Sequence, residues 1–152
     1  MKIEFIQVIT SFVGSLGFAI LYNLRGKKLW MAGISGMVSW IVYLIVWDQM
    51  PSTFVANLAA AAVATIYAET MARILKTPVT VFLITGIIPL VPGGNLYYTM
   101  NYVLAKQWRL SSMYGQKTLL IAVAVAAGIM VASSIYGICA SVWKYCIQKV
   151  DL

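Results

Sequence analysis

A chain of 152 residues that is 62% hydrophobic and only 10% charged is too apolar for a water-soluble domain, in which about a quarter of residues carry charge. With no histidine and four acidic residues, it lacks the material for His-dependent triads, zinc sites or paired-carboxylate catalysis, so neither an enzyme nor a metal or cofactor is expected. The net charge of +7 does not indicate nucleic acid: all the charged residues except Glu69 and Arg73 fall between apolar runs, where they face water and lipid headgroups.

A helix rising ~1.5 Å per residue needs about 20 apolar residues to cross ~30 Å of hydrocarbon, and five stretches meet that length. The first, residues 5–22, ends at Arg25-Gly26-Lys27-Lys28. Only Lys2 precedes it closely and Tyr22-Asn23-Leu24 is a poor cleavage site, so it reads as a retained helix rather than a signal sequence. The second, 29–47, stops at Asp48-Gln49-Met50-Pro51, and the third, 53–75, runs into Lys76-Thr77-Pro78. The fourth, 79–105, is interrupted by Pro89, Pro92, Gly93 and Gly94, and the fifth, 119–143, closes before Lys144. The fold class is therefore an all-α polytopic membrane bundle, one transmembrane domain over residues 1–152 with the fourth helix broken at Pro89 to Gly94. Arg25, Lys27 and Lys28 place the first loop inside and the N-terminus outside. The fourth segment either crosses or returns as a re-entrant loop; its length favours crossing, which leaves Lys106, Arg109 and Lys117 outside.

Ala56, Ala60, Ala64, Ala68 and Ala72 recur every fourth residue, a smooth stripe that lets a neighbouring backbone approach closely in lipid. The third helix should thus lie inside the bundle, with Ala124, Gly128 and Ala132 marking the fifth as a neighbour. Such stripes are also compatible with a homo-oligomer. Trp30, Trp40, Trp47, Trp108 and Trp143 read as interfacial belt residues. Cys139 and Cys146, two helical turns apart, are too far apart to pair and read as buried bystanders.

The chemistry concentrates around the broken segment. Proline removes a helical hydrogen bond and clashes with the preceding turn, and Gly93-Gly94 does not restore order, so the helix should break near mid-membrane. Unpaired backbone groups at such a depth need protein or trapped water, which implies a cavity or buried polar site. The second half-helix, starting near Gly94, would turn free N–H groups and the positive end of its dipole towards it, an arrangement suited to a carboxylate. Asn95, Tyr98, Thr99 and Asn101 lie at helical spacings from one another, so at least three could face one cavity. Pro92, Gly93, Gly94, Asn95, Tyr98, Thr99 and Asn101 are the candidate substrate-binding residues. The competing reading is a simple proline kink with tyrosines at the outer interface. Glu69 and Arg73, one turn apart inside the third segment, either couple or gate transport or form a structural pair.

Residues Ile87-Ile88-Pro89-Leu90-Val91-Pro92-Gly93-Gly94, followed by Leu96-Tyr97-Tyr98-Thr99-Met100 and preceded by Ala72-Arg73 and Lys76-Thr77-Pro78, resemble the threonine/serine exporter (ThrE-like) family. The likeness is to the short component of the split exporters, which corresponds to the C-terminal half of the fused ones. Thr85 and Asn95 depart from the Pro and Gly expected in many relatives. The resemblance implies proton-driven export of threonine and serine across the cytoplasmic membrane, together with a larger integral membrane partner. A dicarboxylate such as succinate is the alternative solute, and a non-transporting assembly subunit the alternative role.

Overall fold

A computed structural model describes the backbone of residues 2–150 and the side chains of residues 3–141; within these every regular element is helical and there is no strand. Trp143 and Cys146 lie outside the described side chains. Six α-helices follow in order: α1 (Lys2–Leu21), α2 (Lys27–Gln49), α3 (Thr53–Ile74), α4 (Val79–Ile87), α5 (Gly93–Leu104) and α6 (Trp108–Val150), with a single 3-10 turn at Ile88–Leu90 between α4 and α5. Four of them are long and apolar enough to span a membrane, or five if α4 and α5, bent by 58° at the break, count as one span.

Local chemistry sets the turns. Asn23, Lys76 and Lys106 stand in the left-handed region just past α1, α3 and α5. After each, an N–H reaches back five residues: Leu24 to Ala19, Thr77 to Ala72, Gln107 to Tyr102, so that carbonyls left over at each helix end are paired. Gly26, at φ 62° and ψ −133°, takes a conformation essentially reserved for glycine and starts α2 two residues after that turn.

The small residues decide the packing. Ala56, Ala60, Ala64, Ala68 and Ala72 are all buried, and α3 sits among α2, α4 and α6 as its stripe requires. Ala124, Gly128 and Ala132 of α6 are also buried, and at Gly128 the two backbones come so close that a Cβ would stand 2.5 Å from the Leu58 carbonyl oxygen. A second small-residue seam, between α1, α2 and α4, is made of Ser15, Ser35, Gly36, Ser39, Thr85 and Gly86, all buried. Its signal was present as Ser-x-x-x-Ser on both α1 and α2.

The two ends of the bundle are distinct. Ala19, Ala32, Ala68, Ala72 and Phe82 form one core cluster, with Leu24, Leu29, Leu75 and Val79 against it, so the positive stretches at 25–28 and 73–76 fall at the same end. At the other end Leu90 packs with Ala60 and Ala61. The α4 helix therefore leaves from the Lys76 end and reaches the Ser52 end, where α5 departs at an angle of 58°. From there α6 runs back alongside α3.

Four expectations change. The break is not at mid-depth: Leu90 is level with Ala60, seven residues into α3, or about 10 Å along a helix of about 32 Å. The last long helix begins at Trp108 rather than Leu119, because its polar first three turns are held by α5 through Tyr114, Ser111 and Gly115 instead of by hydrophobicity. Trp40 is no belt residue; it lies within α2, stacked on Tyr43, which in turn stacks on Trp47. Cys139 is exposed on the protein surface rather than buried.

Candidate functional site

The break is built by two prolines and supported by two serines. Pro89 has no N–H, so the ladder cannot continue through it, and the chain tightens into the turn Ile88–Leu90, closed by Val91 N–H on the Ile88 carbonyl at 3.2 Å. Ending α4 here orphans its last carbonyls. The Gly86 carbonyl is taken by Ser39 Oγ at 2.7 Å, and one turn earlier Ser35 Oγ donates to the Phe82 carbonyl at 3.3 Å. Both hydroxyls come from α2 and both are fully buried. Ser39 thus pairs, inside the bundle, one carbonyl of the last turn of α4, while Ser35 adds a second bond to a carbonyl within the helix.

Pro92 caps α5, and the ladder resumes with Leu96 N–H on the Pro92 carbonyl at 3.0 Å. Gly93 N–H turns back to Val91 at 2.8 Å. Between them, the N–H groups of Gly94 and Asn95 have no backbone acceptor among the described residues. A Cβ on Gly93 or Gly94 would meet nothing within 4 Å, so this end of α5 is open on its outer side. It carries the positive end of a twelve-residue helix.

A cleft of about 600 Å³ lies at this end, within the range of small-molecule sites. Asn95 reaches it from α5, and Ser52, Thr53 and Phe54 from the start of α3. Tyr43 of α2 forms another wall, and α6 supplies Gln116 and Lys117 beside the apolar Met113, Leu120 and Ile121. A smaller cleft of about 230 Å³ lies on the other flank of the break, lined by Gln7, Thr10, Ser11, Trp40 and Pro89. Tyr43 and Trp40, stacked at 5.0 Å between centroids, stand one on each side.

Of the residues singled out from the sequence, Asn95 alone reaches the large cleft. Thr99 spends its hydroxyl on the Asn95 carbonyl at 2.7 Å, and its own carbonyl accepts from Ser111 at 3.1 Å. Tyr98 belongs to an aromatic cluster: its ring lies 5.3 Å from Tyr114 and 6.3 Å from Tyr102, joining α5 to α6. Asn101 is exposed, away from the cleft lining. The four polar side chains are therefore not gathered into one cavity, because α5 packs chiefly on α6 and turns its other faces outward. Glu69 and Arg73 do not form the expected pair. Arg73 instead lays its guanidinium over the Tyr136 ring, 4.8 Å from the centroid, because α6 brings that aromatic face to the end of α3.

Gln116, Lys117 and Ser52 also line the cleft, although the sequence pattern does not single them out. Lys117 was counted as loop charge, since hydropathy begins the last span two residues later. Only the pairing of α5 with α6 makes it helical and turns it towards Asn95's cleft.

The family model described as Threonine/Serine exporter, ThrE, matches residues 7–135. That range takes in the break, both clefts and α6 as far as the turn before Tyr136. No curated protein and no solved structure matches the chain.

Proposed function

We propose, since this chain belongs to the threonine/serine exporter family, that it is one subunit of a secondary transporter moving small amino acids such as threonine and serine out across the cytoplasmic membrane. The family is one of transporters rather than enzymes. The observation that carries the reading is the cleft of about 600 Å³ at the start of α5, where an interrupted helix offers unpaired N–H groups and Asn95 to a small polar solute.

Alternating access needs one closed end and one open one. The cluster around Phe82 fills the Lys76 end with apolar contacts, while the cleft lies at the Ser52 end. With the positive loops inside, this conformation faces outward. Proton coupling through half-buried Glu69, which lies on the cytoplasmic side of the cleft, completes the cycle. The larger partner, with five crossings of opposite orientation, supplies the other half of an inverted pair.

The test replaces Pro92 and Gly93 together by Ala. A Cβ at Gly93 meets nothing within 4 Å, and alanine at position 92 is smaller than the proline it replaces, so the subunit should insert normally while α5 loses its defined start. Export of threonine from cells fed a threonine-containing dipeptide should disappear at unchanged subunit abundance. Undiminished export in the double variant would reject the role given to the break. An assembly subunit is told apart by Asn95→Ala, which impairs export with partner association intact only if the cleft handles solute.

A further inference from the structure

The large cleft contains one cation and no carboxylate. Lys117 is that cation, and its Nζ lies 5.8 Å from the centroid of Tyr114, one turn earlier on α6. The Tyr114 ring is held in turn by Tyr98 at 5.3 Å and Tyr102 at 5.5 Å, both from α5. The exposed Lys117 ammonium is therefore steered by the aromatic cluster that joins the two helices, and it lines the same cleft as Asn95 at the start of α5. The ammonium and the first turn of α5, through Asn95, share one cavity, so both the charge and the positive end of the helix dipole raise its potential, and Gln116 adds a neutral amide. No acidic side chain in the lining balances them.

We infer that Lys117 is the residue that holds the carboxylate of the solute, so that the cleft accepts solutes by their free carboxylate and not by their ammonium group. This deepens the transport reading and rests on it for the identity of the solute. A carboxylate takes a charge-assisted hydrogen bond from Lys117, whereas an ammonium group finds only the neutral oxygens of the lining. The tyrosine cluster becomes a positioning device: Tyr98, which does not line the cleft, acts through Tyr114 on where the ammonium stands.

The experiment uses vesicles from cells producing the chain with its partner, with L-threonine as substrate and two competitors. 3-Hydroxybutyrate keeps the carboxylate and lacks the amine; L-threonine amide keeps the amine and lacks the carboxylate. In the wild type the acid should compete and the amide should not. Lys117→Gln should raise KM on the order of tenfold to a hundredfold, the loss of one charged hydrogen bond, with the maximal rate kept and the acid-over-amide preference gone. Lys117→Arg should retain both. A Lys117→Gln variant with unchanged KM and preference overturns the inference, as does one that loses only abundance or maximal rate.

Should the wild type move no threonine, the transport reading fails, and the inference is decided by the unfolding midpoint of the detergent-purified chain. Millimolar 3-hydroxybutyrate should raise that midpoint in the wild type and not in Lys117→Gln, while L-threonine amide raises it in neither. A midpoint unmoved by the acid overturns the inference. A lipid phosphate could meet the same ammonium: if phosphatidylglycerol raises the midpoint through Lys117 and the acid does not, the ligand is the membrane surface and the inference is again overturned.

Discussion

Adding a single methyl group should have opposite effects at two glycines of the same helix. At Gly128 a Cβ would stand 2.5 Å from the Leu58 carbonyl oxygen, 3.0 Å from the Ala61 Cβ and 3.2 Å from the Ala62 nitrogen. Two of these three atoms are backbone, so no rotamer change can make room. The helices must part, and a gap of about 0.5–1 Å forfeits a quarter to a half of the dispersion attraction along the seam. Overpacking of this kind costs about 1–3 kcal/mol. At Gly137, nine residues on, nothing lies within 4 Å. There Ala only restricts the unfolded chain and favours the helix, a gain of about 0.5–1 kcal/mol. For a chain of this length, about 2–4 °C of unfolding temperature accompanies each kcal/mol. Gly128→Ala should therefore lower the midpoint of the detergent-purified protein by about 1–8 °C once the intrinsic helix gain is subtracted. Gly137→Ala should raise it by about 1–4 °C. Differential scanning fluorimetry reads both. Equal positive shifts at the two positions would refute the close α3–α6 approach.

Ser39→Ala should cost about 0.6–2 kcal/mol, the range of interhelical hydrogen bonds in membranes, because the Gly86 carbonyl, in the last turn of α4, loses its 2.7 Å donor. The midpoint of that variant measures it, and Ser39→Thr should recover part of the loss. A cysteine at Lys106 in a chain cleared of Cys139 and Cys146 should react with a membrane-impermeant thiol reagent added outside intact cells if α4 and α5 form one crossing; labelling only after lysis would mean that the segment returns. Glu69→Gln should leave export at a fixed proton gradient reduced and insensitive to external pH if the carboxyl couples transport. Unaltered pH dependence in everted vesicles assigns coupling elsewhere.

The parts legible in the sequence were those written in local patterns. The alanine stripe of α3 announced its burial because a four-residue repeat keeps one face throughout a helix, whereas the α6 row proved to meet a different face of α3, Gly128 lying on Leu58, Ala61 and Ala62. The double proline announced the interruption, since a missing N–H is a covalent fact, independent of context. The Ser-x-x-x-Ser pairs were equally visible but silent, because serine spacing does not say whether a hydroxyl serves its own helix, as Thr65 does on Ala61, or a neighbour's carbonyl, as Ser35 does on Phe82.

Composition and periodicity thus determined by themselves that the chain is a bundle of membrane-length helices, which faces are smooth, and where one helix is cut. They could not determine the depth of that cut or the contents of the cleft beside it. Depth depends on how α4 slides against α3, and that register is set by Phe82 among Ala68 and Ala72 and by Leu90 on Ala60 and Ala61. The meeting of Asn95 with Lys117, across 21 intervening residues, follows from α5 folding back on α6 through the turn at Lys106. Hydropathy measures transfer to lipid, one segment at a time, and such a quantity carries no term for two polar helix faces that are stable only against each other.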